Sequence, residues 1–83
     1  MIVEALQVKE IRLSDARSEL GLTQRELAEL SGISYVTISK AENGENIRRL
    51  TAHAILKALN RKRLDEGMPP LGVDALDWKI KGD

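Results

Sequence analysis

Side chains able to break a covalent bond are scarce in this chain, whereas side chains suited to recognition are concentrated. There is no cysteine and a single histidine, His53. Without cysteine there are no thiolate nucleophiles, no disulfides and no ordinary zinc site. His53 stands beside Ala54 and close to Thr51, so no nucleophile has a base at useful spacing. The Ser and Thr residues are well explained as helix caps, and no glycine-rich phosphate loop follows a strand. An enzyme, a metal site and a cofactor are therefore not expected. What remains is a run of hydroxyls, one phenol, methyl groups and an ammonium at Ser34, Tyr35, Val36, Thr37 and Lys40. Gln24, Arg48 and Arg49 add donors suited to anions. These groups make hydrogen bonds, apolar contacts and charge neutralisation, not catalysis.

The elements that must position these groups belong to a small chain of 83 residues with 13 basic and 13 acidic side chains. A chain this short makes one domain whose limited core excludes an elaborate enclosed site. The even charge balance hides a segregation. Between Ser34 and Arg63 there are seven basic residues, Lys40, Arg48, Arg49, Lys57, Arg61, Lys62 and Arg63, and two acidic ones, Glu42 and Glu45. That stretch carries +5 and the remainder −5. Distribution decides what a surface attracts more than the sum does. Residues Met1 to Val8 lack a basic leader and a cleavage site, and no run is long enough to span a membrane, so a soluble, cytoplasmic chain is expected.

Four glycines, Gly21, Gly32, Gly44 and Gly67, each follow a stretch of helical apolar spacing, where a helix end wants a residue tolerant of positive φ. Leu13, Ala16 and Leu20 share one face of a first helix, with Ser14 and Asp15 as first-turn residues. Thr23 and Glu26 form a capping box for a second helix that runs to about Ser31 and buries Leu27, Ala28 and Leu30. After the turn at Gly32 and Ile33, Ser34 caps a third helix, Tyr35 to about Asn43, that buries Ile38 and Ala41. Thr51 is expected to cap a fourth, burying Ile55, Ala58 and Leu59 and continuing through Arg61, Lys62 and Arg63 to Glu66. Met68, Pro69 and Pro70 stop it. Asp74 to Trp78 reads as a short helix docking Trp78, or Trp78 to Lys81 as an edge strand. Met1 to Ile11 reads as strand in preference to helix.

Two short helices joined by a glycine turn suggest a helix-turn-helix. The run Gly21 to Ala28, then Ser31 to Ser34, then Thr37, Ile38, Ser39 and Glu42 to Gly44 closely resembles the Xre-like family, which includes phage repressor and Cro proteins. The resemblance covers roughly Leu13 to Leu59. It implies an all-α, lambda-repressor-like bundle of about five helices, with short strands at the termini as an added feature. The corresponding division is an extension over 1–11, a DNA-binding domain over 12–66 and a tail over 67–83.

The resemblance further implies double-stranded DNA as partner, with the third helix, 35–43, in the major groove. Base contacts fall to Ser34, Tyr35, Val36, Thr37 and Lys40; Lys40 can donate to guanine O6 and N7, and the Val36 and Thr37 methyls can meet a thymine methyl. Phosphate contacts fall to Thr23, Gln24 and Arg25 at the start of helix two, to Asn43, and to Arg48 and Arg49 in the loop before helix four. Arg17 and Glu42 are implied to pair and brace the third helix, with Ala28 and Gly32 as structural residues at the crossing. Arg61, Lys62 and Arg63 read either as DNA contacts or as a solvated helix end. The expected role is a homodimeric transcriptional repressor, with the apolar N-terminal segment and the Trp78 tail as dimer surfaces. The alternatives are an antitoxin that represses its own operon, its tail binding a toxin, and an adaptor that keeps the fold without reading DNA.

Overall fold

A computed structural model describes residues 11–81. The expected N-terminal strand over Met1 to Ile11, and its use as a dimer surface, lie outside the described residues except for Ile11. The elements run α1 (Leu13–Glu19), α2 (Gln24–Ser31), α3 (Tyr35–Glu42), β1 (Asn46–Arg48), α4 (Arg49–Asp65), a 3-10 turn (Val73–Ala75) and β2 (Lys79–Lys81). Among the described residues the result is a four-helix bundle carrying a small two-stranded sheet.

Local chemistry sets most boundaries. The Thr23 hydroxyl accepts from the Glu26 amide at 3.0 Å while the Glu26 carboxylate accepts from the Thr23 amide at 2.8 Å. Two of the orphan donors at the start of α2 are thereby satisfied. Gly32 ends α2 at φ 74°, its amide donating to the Ala28 carbonyl at 2.9 Å. The left-handed backbone, not space, is what demands glycine there, since a methyl group would meet nothing within 4 Å. Ser34 caps α3 by accepting from the Thr37 amide at 3.1 Å.

The core gathers Leu13, Ala16, Leu20, Leu27, Ile38, Ala41, Ile55 and Leu59, one face from each helix, with Leu76 and Trp78 closing it from the C-terminal side. The sheet is parallel, pairing Asn46 with Lys79, Ile47 with Ile80 and Arg48 with Lys81, and α4 is the crossover that parallel pairing requires. Ile11 bridges to Leu76 in the same sense.

Several expectations are corrected. Helix four starts at Arg49 rather than after Thr51, because the extended Arg48 leads straight from β1 into the helix and provides no side-chain cap. Arg48 therefore ends a strand and Arg49 opens a helix, where a loop is expected. Leu30 is exposed, since the inward side of α2 is already filled by Leu27 and Ala28. Arg63 is buried: its Nε donates to the Pro69 carbonyl at 2.7 Å and its Nη1 to Glu19 at 3.1 Å. It ties the chain after the helix back to α1 and is neither solvated nor free for DNA. Both readings of the C-terminal segment are partly right, since a 3-10 turn precedes the strand. Trp78 packs in the monomer core and donates its indole N–H to the Val73 carbonyl at 3.0 Å, which removes the ring from any dimer surface.

Candidate nucleic-acid interface

The third helix shows two unlike faces. Ile38 and Ala41 are buried against the core, whereas Tyr35 and Val36 are 42% and 58% exposed and Lys40 is also exposed. Ser34 is exposed, its hydroxyl donating to the Thr37 hydroxyl at 3.0 Å, and Thr37 is half-buried at the edge of the face. Ser39, on the outer face by helical spacing, is half-buried. The polar and methyl groups singled out in the sequence thus share one side of α3, carried on a helix whose other side is fixed.

What fixes it is a hydrogen-bonded cluster between α1, α2 and α3. Arg17 Nε donates to Glu42 Oε2 at 2.6 Å and Nη2 to Oε1 at 3.1 Å, a two-pronged contact, while Nη1 donates to the Leu22 carbonyl at 2.8 Å. The Arg17 and Glu42 side chains are only 16% and 7% exposed. Hydrogen bonding to Glu42 raises the Arg17 pKa above its ordinary value, against the opposing effect of burial. A bidentate guanidinium–carboxylate contact is geometrically exacting, so it holds the C-terminal end of α3 in orientation as well as in place.

Gln24 joins this cluster in a way that the sequence alone does not reveal. Its amide nitrogen donates to Glu42 Oε1 at 2.8 Å, which fixes the side chain. The backbone amides of Gln24 and Arg25, which precede the first intrahelical bonds of α2, remain as donors at this end of the helix. The side chain of Arg25 lies over the Tyr35 ring, 4.8 Å from ring centroid to guanidinium carbon. No sequence signal points to that contact beyond each residue opening a helix. Arg17, Gln24, Arg25 and Tyr35, together with the turn between α1 and α2, line an open concavity of about 640 Å³. The hydroxyl oxygen of Thr23 accepts the cap bond from Glu26, and its O–H is left as a donor.

Asn43 is exposed at the end of α3, and Arg48 and Arg49 are exposed beyond the Gly44 turn. The helix-two group and the Arg48 and Arg49 group thus lie at separate stations along the chain, on either side of α3. Among the described residues, no three of His, Cys, Asp and Glu come together as a metal site, and no helix is long and apolar enough to cross a membrane.

Comparison with known proteins agrees with this geometry. A family model described as helix-turn-helix matches residues 13–66. An uncharacterized HTH-type transcriptional regulator of Methanothermobacter thermautotrophicus is 42% identical over 55 residues, covering 65% of this chain and 80% of that protein. Another, from Methanocaldococcus jannaschii, is 39% identical over 57 residues, or 69% of this chain. The chain spans only 33% of that second relative's length. No solved structure matches.

Proposed function

The chain belongs to the helix-turn-helix family, and from that premise we propose that it is a sequence-specific DNA-binding transcriptional regulator, acting as a repressor in the cytoplasm. The observation that carries this reading is the division of α3, with Ile38 and Ala41 held inside and Tyr35, Val36 and Lys40 turned out. Tyr35 and Val36 are exposed side by side and belong to no part of the hydrophobic core among the described residues, and a helix of this width fits a major groove. In this reading Ser34, Tyr35, Val36, Thr37 and Lys40 meet base edges. Thr23, Gln24, Arg25, Asn43, Arg48 and Arg49 meet phosphates. One short helix contacts too few base pairs for tight selection, so two copies act on half-sites about one helical turn, ~34 Å, apart. The chemistry is recognition without turnover. Both cited relatives are described as transcriptional regulators, which supports the same role here.

The test is selection of binding sites from random duplexes, followed by mobility shifts at low and raised salt for wild type and Lys40→Ala. A two-fold symmetric selected site, bound less tightly as salt rises and less tightly by the variant, is expected. Absence of a salt-sensitive shift on any duplex would refute the reading and assign the fold to protein binding. Sedimentation with and without the selected duplex tests the two-copy arrangement; a single copy bound to DNA would overturn it.

A further inference from the structure

We propose that the outer face of α4 docks an acidic amphipathic helix from a second, different protein. Leu50, Ala54, Lys57, Arg61 and Leu64 recur at alternating steps of four and three residues, the spacing with which one helix presents a seam to another. The opposite side of α4, with Ala52, Ile55, Leu56 and Leu59, is already buried in the core. The seam is therefore a second contact face without an occupant among the described residues. Leu50 is 83% exposed and Leu64 61% exposed. Along the helix axis they stand about 21 Å apart. Beside the seam, Leu30 at the end of α2 joins Ala54 and Ala58 in a groove of about 320 Å³ edged by Lys57 and Arg61. Leucines on two neighbouring helices thus frame one basic centre, and neither the core nor α3 uses them.

Charge selects the occupant. Lys57 and Arg61 enter none of the ion pairs found among the described residues. Asp65 is the carboxylate of a neighbouring hollow that Leu30, Ala58 and Arg61 also line. A second copy of this chain centred on the same seam would set Lys57 and Arg61 against the same cations, parallel or antiparallel, which is repulsive where the contact is closest. A duplex would match the cations but leave Leu30, Leu50 and Leu64 facing phosphates. The surface is complementary to a helix with apolar side chains at its ends and Glu or Asp in its middle. Tyr35, Val36 and Lys40 line no part of this groove, so it is separate from the proposed DNA face.

The experiment uses the full chain, isotope-labelled, and an acetylated, amidated helical peptide with leucines at both ends of a heptad seam and glutamates between them. The expected result is saturable amide shifts confined to Leu30 and to residues from Leu50 to Leu64. The double variant Lys57→Glu, Arg61→Glu should weaken binding at least about tenfold and turn the preference to the same peptide with lysines for glutamates. The variant's unchanged amide spectrum at Leu27 and Ile38 verifies the fold. The proposal is overturned if the glutamate peptide gives no saturable shifts or the wild type binds the lysine peptide equally well. It is also overturned if a mixed-sequence duplex shifts the same amides, or if Leu64→Ser converts a dimer to monomers in sedimentation. The last two outcomes assign the face to nucleic acid or to self-association.

Discussion

The guanidinium carbon of Arg25 sits 4.8 Å from the centroid of the Tyr35 ring, so the first turns of α2 and α3 meet through a cation on an aromatic face. If both residues serve one DNA contact, their effects on affinity are not additive. In a double-mutant cycle of Arg25→Ala and Tyr35→Ala, the coupling should be about 0.5–1 kcal/mol. Tyr35→Phe should retain it, because the ring face and not the hydroxyl holds the cation. Additive losses would mean that the two side chains act on separate parts of the duplex.

Arg17→Ala should cost stability before it costs DNA affinity. The substitution leaves the nearly buried Glu42 carboxylate with only the Gln24 amide as a side-chain partner. Breaking a buried pair from one side costs about 3 kcal/mol. A lower urea midpoint with an unchanged denaturant slope is the expected signature. Arg17→Lys should recover only part of the loss, because a single ammonium cannot supply the two-pronged contact. The pH dependence follows from the raised pKa of Arg17. Its contribution is complete below the ordinary arginine pKa and fades only as pH rises beyond it, so titration of this group leaves stability level through the neutral range.

Arg63 and Trp78 offer an optical test of the C-terminal closure. Trp78 is the sole tryptophan and is buried in the core. Arg63 holds the preceding segment through the Pro69 carbonyl and reaches Glu19. Arg63→Ala removes charged hydrogen bonds worth about 2 kcal/mol and leaves the Pro69 carbonyl without this donor. Emission from Trp78 should move to the red and become more open to acrylamide quenching before global unfolding. Emission unchanged from wild type would show that Leu76 and Trp78 hold the segment without Arg63.

The parts legible from sequence are those set by near neighbours. The Thr23 and Glu26 box, the Ser34 cap and the turn at Gly32 each involve residues within a few positions, and the outward face of α3 follows from its period. The Arg17 and Glu42 pair is 25 positions apart, and only the family resemblance points to it. Other misreadings have the same long-range origin. Thr51 has the chemistry of a cap, but strand pairing of Asn46 to Arg48 with Lys79 to Lys81 sets the start of α4 earlier. A strand of three residues is too short to show alternation. Arg63 reads as one more surface cation because its acceptors, Pro69 and Glu19, are brought to it by tertiary folding. Leu30 fits the apolar period of α2, yet the helix has more apolar residues than its packing can cover. Its exposure becomes informative only beside α4. Gln24 is expected to meet an anion from its place at the start of α2 and from the family resemblance, while its fixation by Glu42 requires the packed helices.

Lys40 and Arg48 separate base reading from phosphate binding. Both are exposed, Lys40 on the outer face of α3 and Arg48 at the end of β1. A base contact discriminates among sequences, so Lys40→Ala should cost about 1–3 kcal/mol on the selected site and relax the preference at one base pair of each half-site. A phosphate contact does not discriminate. Arg48→Ala should therefore weaken all duplexes alike and reduce the log–log salt slope by about 0.9 for each phosphate that is no longer neutralised. Dissociation constants measured across a potassium chloride series, on the selected site and on single-base variants of it, distinguish the two patterns. If Lys40→Ala alters the slope and leaves the preference intact, Lys40 is a phosphate ligand. Base reading would then rest on Ser34, Tyr35, Val36 and Thr37, whose methyl groups can register thymine and whose hydroxyls can donate to or accept from base edges. In that case Lys40→Ala, put through the same selection, would recover the same sites as the wild type.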